Sequence, residues 1–531
     1  MTGAVPVVAF LPEALVLSGA LLVFLLDVLG VKRLEVLGGI SVATVAGALL
    51  LVLGDLRFAP LAFLGTVPVG QVDVDPNLAP IGTLFAFSSL GLVFQAVFLL
   101  SSLLVTLASL SRPSAERGAA IFFGLLLIAT LGMMLVALSA DLIFLLLAIE
   151  VVGIATYLMV GYTRRDPRGL EAAMKFYIVG ALSTALSFFG ASLLFGAYQS
   201  TTFVALSQAS GTLGYPALAL AGYALLIAGL GFKLTLVPFH AWAVDVYDGA
   251  PDDVTAFLAG GTKKIAVFAF FLVFIGPVTL AGRLAACTGS CPGTTFDFAP
   301  TFQLALALVA LLTMTIGNVL ALLQREMKRM LAYSSISQAG YMLIGIAVGT
   351  SPAIAGATFQ VFAHVFMKAG AFLLVAGVTG LGIGPLIDDW KGLGVRRPLL
   401  GTAFALMLLS LAGVPLTIGF VSKFVLFSSA VQAQGLFVWL AVAGLLNSAL
   451  SVFYYARVLK VMFMDRATGT EAPAGSPEPP SPSALPAGGL GWGRAAAIGF
   501  AVVAIVALGI YPQPVLAGIQ AAANHFVLTG A

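Results

Sequence analysis

The sequence predicts an all-α protein threaded through a membrane about fourteen times, and three observations lead there. Hydrophobic residues fill 60% of the 531 positions and charged residues only 9%, against roughly 25% charged in a soluble domain. Mean hydropathy is +1.09. The apolar residues also gather into runs of about 20, the length a helix needs to cross the hydrocarbon core.

In chain order the spans read 6–30, 34–54, 80–110, 118–139, 141–162, 170–197, 216–246, 252–277, 301–323, 328–349, 352–379, 398–431, 435–463 and 493–516. The first is too long for a cleavable signal, lacks a basic leading segment and contains Glu13 and Asp27, so it is expected to stay in the mature protein. Pro238 in the seventh span and Pro415 in the twelfth each remove a backbone hydrogen bond, and both spans are predicted to be broken. The stretch "ATGTEAPAGSPEPPSPSALPAGG", 467–489, has the composition of a flexible linker. The chain therefore divides into 1–110 (helices 1–3), 118–277 (helices 4–8), 301–463 (helices 9–13), the linker, and 493–531 (helix 14 and a tail).

Basic residues set the orientation. Seventeen Lys and Arg lie in the odd-numbered loops, and only Arg57 and Arg283 lie in the even ones. Odd loops are thus expected in the cytoplasm and both termini outside. Cys287 and Cys291 in "CTGSC" then face the oxidising side, where a disulfide is allowed. With no His nearby and no second Cys pair, structural zinc is not expected. A net charge of +3 with scattered basic residues excludes nucleic acid as a partner.

The six remaining basic residues, Lys175, Lys233, Lys263, Lys264, Lys368 and Lys423, fall inside spans. A charge there costs a few kcal/mol or more and marks a functional site by default. All six are Lys. Arg holds its proton permanently, whereas a desolvated Lys can give its proton up, so a row of lysines suits proton relay. Lys175 lies within the first two turns of its span, where a long side chain can instead snorkel to the interface. Lys263 and Lys264 point about 100° apart on a helix, so one is expected to face the interior, and Lys264 is favoured.

Lys233 in "KLTLVPFH" and Lys423 in "GVPLTIGFVSKF" sit in mid-span beside prolines that free backbone carbonyls for a lysine or water to meet. Glu150, the carboxylate well inside the fifth span, is predicted to pair with Lys233, because an unpaired buried carboxylate is costly. His364 and Lys368 are four apart and share a helix face. His240 follows Lys233 by two turns and aligns with it only if the helix runs on across Pro238. Each histidine reads equally as a satisfied polar residue of the bundle or as a relay member. The broken spans lie five helices apart. That odd offset makes any five-helix repeat inverted, pairing helices 4–8 with 9–13, and the opposite order of Lys and Pro fits the inversion.

The segments "VPFHAWAVDVYDGAP", "EAAMKFYIVGALSTALSFFGASLLFG", "GNVLALLQREMKRMLAYSSISQAGYMLIGI" and "LAGVPLTIGFVSKF" resemble the subunit N family of bacterial respiratory complex I, the proton-translocating NADH:quinone oxidoreductase. These are antiporter-like subunits whose mitochondrial counterpart is subunit two. The resemblance runs from "FLPEALVL" to helix 13 and is most specific in the "PFHAW" segment. It implies fourteen helices, inverted five-helix repeats, and a non-redox subunit that translocates protons while other subunits pass electrons from NADH to quinone. It implies no cofactor in this chain, with FMN, iron–sulfur clusters and quinone in or near other subunits. The implied partners are the antiporter-like subunits M and L, the small subunits K, J, A and H, the peripheral redox arm and lipid, all at the bacterial inner membrane.

Residue by residue, the family's membrane glutamate falls on Glu150 and its broken-helix lysine on Lys233. The helix 8 lysine falls on Lys264, the helix 6 lysine on Lys175, the outlet-side lysine on Lys423, and the "PFH" histidine on His240. One departure is "HVFMKAGAF", which is closer to cation/proton antiporter relatives and leaves the roles of His364 and Lys368 open. A subunit of a multi-subunit cation/proton antiporter, or of a ferredoxin- or hydrogenase-linked complex, is the alternative. The polar residues kept in both broken spans argue against a mere scaffold.

Overall fold

The computed structural model describes residues 7–56, 84–111, 118–162, 167–208, 215–275, 299–465 and 489–529. Among these, the chain is helical apart from turns and three isolated β-bridges. Six uninterrupted helices come first: α1 (Leu11–Val28), α2 (Leu34–Asp55), α3 (Ser89–Ser109), α4 (Ala119–Ala137), α5 (Leu142–Val160) and α6 (Pro167–Tyr198). α7 is split into Pro216–Leu234 and Ala241–Gly249. α8 runs Asp252–Gly260, tightens to a 3₁₀ turn over Thr262–Lys264, and resumes at Ile265–Phe270. α9 (Ala299–Leu322) and α10 (Met327–Val348) are continuous, whereas α11 is Ser351–His364, a π-turn over Val365–Ala369, then Gly370–Gly380. α12 is split into Pro398–Ala412 and Ile418–Gln432, and α13 (Leu436–Phe463) and α14 (Trp492–Ile510) follow.

Thirteen helices among the described residues are long and apolar enough to cross a membrane. The fourteenth expected span, 398–431, falls short because it is broken: each half has 15 residues, a rise of about 22 Å against a core of about 30 Å. The two halves cross only together.

Three expectations need correction. The third span, expected from 80, begins at Ser89, where Ser88 caps the helix by accepting from the Gly91 N–H at 3.0 Å. The last span, expected to run to 516, stops at Ile510, because a residue preceding proline avoids helical backbone and Tyr511 precedes Pro512. What was expected as a tail is a further helix, α15 (Gln513–Thr529), packed on α11 and α3. The Cys287–Cys291 segment and, but for Gly489, the 467–489 linker lie outside the described residues.

Polar contacts at one end of the bundle fix the turn between α7 and α8. Lys328 donates to the carbonyls of Asp248 and Ala250 and pairs with Asp252 at 2.9 Å. Arg329 lies 3.4 Å from Asp245 and 3.6 Å from Asp248. Arg494, in the first turn of α14, reaches Asp253 in the first turn of α8 at 3.2 Å, and both side chains are buried. Breaking such a buried pair is costly, so the ends of α8, α10 and α14 are held as one unit. α8 is enclosed along its whole candidate span, which is why it can carry polar residues no lipid-facing helix would tolerate.

Candidate functional site

The α7 break is built around Thr235, whose φ of +65° ends the first half, and the bend through Val237 and Pro238. The carbonyls freed at Gly231 and Phe232 are met by the N–H groups of Leu236 and Thr235. Trp242 also donates its indole N–H to the Phe232 carbonyl at 3.1 Å. Its ring stacks on Phe176 with centroids 4.6 Å apart, so an aromatic pair plugs the break. Lys233 projects away from these carbonyls toward α5, and its Nζ donates to the Tyr157 hydroxyl at 3.0 Å.

The predicted Glu150–Lys233 ion pair does not form. Glu150 accepts instead from the Thr184 hydroxyl on α6 at 2.7 Å. Tyr157, seven residues after Glu150 and hence two turns along α5, takes up the amine. The two groups therefore hold separate partners and make no direct ion pair. His240, at the start of the second half of α7, is partly buried and its Nδ1 has no hydrogen-bond partner. The helix does not run on across Pro238, so His240 is not aligned with Lys233.

Lys175 is not desolvated. Its side chain is 45% exposed and pairs with Glu171 at 2.8 Å and Asp245 at 2.9 Å, the snorkelled arrangement expected near a helix end. In α8 both lysines are buried, not Lys264 alone. The 100° rule presumes a regular helix with one exposed side; here Gly261 and a 3₁₀ turn interrupt it, and neighbours enclose it on all sides. Lys264 Nζ donates to the carbonyls of Ala259 and Gly260, the terminal acceptors of the first α8 segment. Lys263 Nζ turns toward α10 and donates to Ser335 Oγ at 3.1 Å.

Lys368, within the π-turn of α11, donates to Ser334 Oγ at 2.7 Å, and Ser334 is in turn hydrogen-bonded to Tyr455. His364 is buried one turn before it with neither ring nitrogen partnered. At the α12 break Gly413 takes a φ of +91°, a left-handed cap that glycine adopts without strain. Lys423 Nζ fills the gap, donating to the Leu411 carbonyl at 2.8 Å, the Ala412 carbonyl at 3.1 Å and Ser448 Oγ at 2.8 Å.

α10 supplies the polar surface between these lysines. Ser334 and Ser335 meet Lys368 and Lys263. Gln338, one turn on, donates to the same Leu411 carbonyl as Lys423, and also accepts from Gln360 on α11. Tyr341 places its ring 4.9 Å from Lys423 Nζ. Neither these residues nor Tyr157 and Thr184 were singled out from sequence. The spacing of Ser334, Gln338 and Tyr341 at i, i+4 and i+7 in the least apolar of the candidate spans was a readable signal. Among the described residues no group of three His, Cys, Asp or Glu is placed to hold a metal ion.

The family described as "NADH:quinone oxidoreductase/Mrp antiporter, TM" matches residues 139–451. The chain is 40% identical to F(420)H(2) dehydrogenase subunit N of Methanosarcina mazei over 438 residues, covering 81% of this chain and 82% of the relative. It is 35% identical to NADH-quinone oxidoreductase subunit N 2 of Sorangium cellulosum over 521 residues, 95% of each. Its fold is similar to a chain of respiratory complex I from Thermus thermophilus, with a TM-score of 0.71 and 30% identity, over 95% of this chain and 98% of that one.

Proposed function

The chain belongs to the NADH:quinone oxidoreductase/Mrp antiporter family as an antiporter-like subunit N, and from that premise we propose that it carries protons across the membrane while other subunits pass electrons from NADH to quinone. The observation that supports this most is the placement of its lysines. Lys233, Lys264, Lys368 and Lys423 each sit at an interruption of a helix, with partners that accept hydrogen bonds and carry no charge. Among the described residues no carboxylate is ion-paired with any of them, which suits amines that change their proton.

In this scheme Glu150 biases Lys233 through Tyr157, and the proton moves by way of α8 and Lys368, with His364 beside it, to Lys423. Lys175 and His240 flank the α7 break at the start of the path. Carrying one charge against 100 mV costs about 2.3 kcal/mol, so a modest change in how the protein holds each amine suffices. Helices 4–8 and 9–13 act as inverted repeats, which the placement of Lys233 before its break and Lys423 after its own supports. The frame is a bacterial inner membrane with both termini outside. The neighbours are the M and L subunits, the small K, J, A and H subunits and the redox arm, which holds the FMN and iron–sulfur clusters, with quinone bound outside this chain.

A second assignment keeps the proton path and changes the donor, because the relative from Methanosarcina mazei is a subunit of an F(420)H(2) dehydrogenase. The test is NADH-driven proton uptake by inverted membrane vesicles, comparing wild type with Lys233→Ala in complexes shown to assemble. Uptake is expected to fall at least tenfold. Unchanged uptake and oxidation would remove Lys233 from the path, and oxidation driven by F(420)H(2) but not by NADH would select the second donor.

A further inference from the structure

Between α6 and the second half of α7 lies a groove of about 400 Å³, within the range of roughly 300–1,000 Å³ usual for ligand sites. Val179, Leu182 and Phe239 on its walls are exposed, so it opens on the lateral face of the bundle. Lys175 and Asp245 stand at its mouth, and Val179, Leu182 and Leu186 follow Lys175 at i+4, i+7 and i+11 along one face of α6. That stripe descends about 16 Å, opposite Pro238, Phe239 and Trp242 of the α7 break. The Ser183 hydroxyl is spent on the Gly229 carbonyl at 2.8 Å and the Trp242 N–H on the Phe232 carbonyl, leaving the depth of the groove no free donor. α6 has 32 residues and rises about 48 Å against a core of about 30 Å. With both ends overhanging, Lys175 stands where hydrocarbon gives way to headgroups.

The mouth is polar in a particular way. Lys175 Nζ carries three N–H groups, of which Glu171 at 2.8 Å and Asp245 at 2.9 Å take two. Arg329 lies 3.4 Å from Asp245 and 3.6 Å from Asp248. Two cations thus stand beside three carboxylates, an excess of one negative charge.

We propose that this groove is a phospholipid site, which takes an ethanolamine headgroup at Lys175 and one acyl chain along α6. A phosphate oxygen accepts the remaining N–H of Lys175. The primary ammonium donates to Glu171 and Asp245, since a carboxylate accepts several hydrogen bonds at once. A headgroup with phosphate as its sole charge meets the excess of carboxylate, and a choline ammonium has no N–H to give. The acyl chain lies between Leu182 and Phe239 and covers Pro238 and Trp242 from the bilayer side, which fills an exposed apolar groove. It meets no bare backbone acceptor, because the carbonyls freed at Gly231 and Phe232 already have donors. The site supports the α7 break and does not depend on the proton-carrying function above.

The test places the assembled complex in phosphatidylcholine vesicles with a trace of phospholipid that carries a photoactivated diazirine on its acyl chain, under an ethanolamine, choline or glycerol headgroup. The labelled peptides of this chain are then sequenced. Relative to label elsewhere on the chain, the ethanolamine probe is expected to mark residues 179–186 and 232–242 at least fivefold more than the other two. Leu182→Trp, which fills the groove from its exposed rim, is expected to remove that label. Glu171→Gln, which withdraws one carboxylate from the ammonium, is expected to cut the headgroup preference to less than twofold. Equal labelling by all three probes in the wild type would mean ordinary surrounding lipid and overturn the proposal. No label in either segment, with other helices labelled, would mean that another protein subunit covers the groove, and would overturn it equally. So would a preference that survives both substitutions.

Discussion

The two broken helices solve the same problem in opposite ways. In α12 the lysine serves its own break: Lys423 covers the carbonyls of Leu411 and Ala412 and is held further by Ser448. In α7 the break is closed by neighbouring backbone and by Trp242, and Lys233 is left free to reach Tyr157 on another helix. A proline in a membrane helix thus creates acceptors, but whether a lysine uses them depends on which other donors are within reach. The freer amine is the one near a carboxylate, so Lys233 is suited to respond to a change at Glu150, and Lys423 to hold and release at the far end.

The largest test of that contrast is Glu150→Gln. The amide still reaches Thr184 but carries no charge, and proton uptake is expected to fall about tenfold, equivalent to about 1.4 kcal/mol, with assembly intact. Full uptake would show that Lys233 does not answer to Glu150. Stability provides the next test. Lys423→Met removes one of two donors from each of two terminal carbonyls, leaving Gln338 on Leu411 and Ser448 on Ala412, at about 0.5–1.5 kcal/mol each, whereas Lys233→Met strips only a tyrosine hydroxyl. Thermal unfolding of the detergent-solubilised complex should therefore show the larger drop for Lys423→Met, and equal drops would erase the distinction between the breaks. The smallest effect is expected from Ser448→Ala, which removes one of three acceptors of Lys423 and should cost no more than about 1 kcal/mol, with uptake within about threefold of wild type. A loss as large as that of Lys423→Met would mean that Ser448, not the backbone, holds the amine.

Much of this was legible because a membrane forces simple rules on a sequence. Span lengths, the two prolines and the lysine row follow from period, length and cost alone. The Glu150–Lys233 contact was not, because counting residues along α5 shows which groups share a face but not that a tyrosine two turns on intercepts the amine. Lys263 was set aside for an analogous reason. A helical wheel assumes uniform winding and one outward side, and α8 has neither at Gly261. The helix after Pro512 was missed because its face against α11 and α3 is only modestly apolar, with Gln520 and Asn524 turned to Ser351. The α10 residues were passed over because serine and glutamine carry no charge, although their spacing announced a polar stripe.

The pair between Arg494 and Asp253 joins residues 241 positions apart in the chain. During synthesis the eighth helix is inserted long before the fourteenth has left the ribosome, so throughout that interval Asp253 waits without its arginine. The last spanning helix is therefore the keystone of biogenesis: a chain cut before it would contain every lysine of the path and still lack the residue that seats the helix carrying two of them.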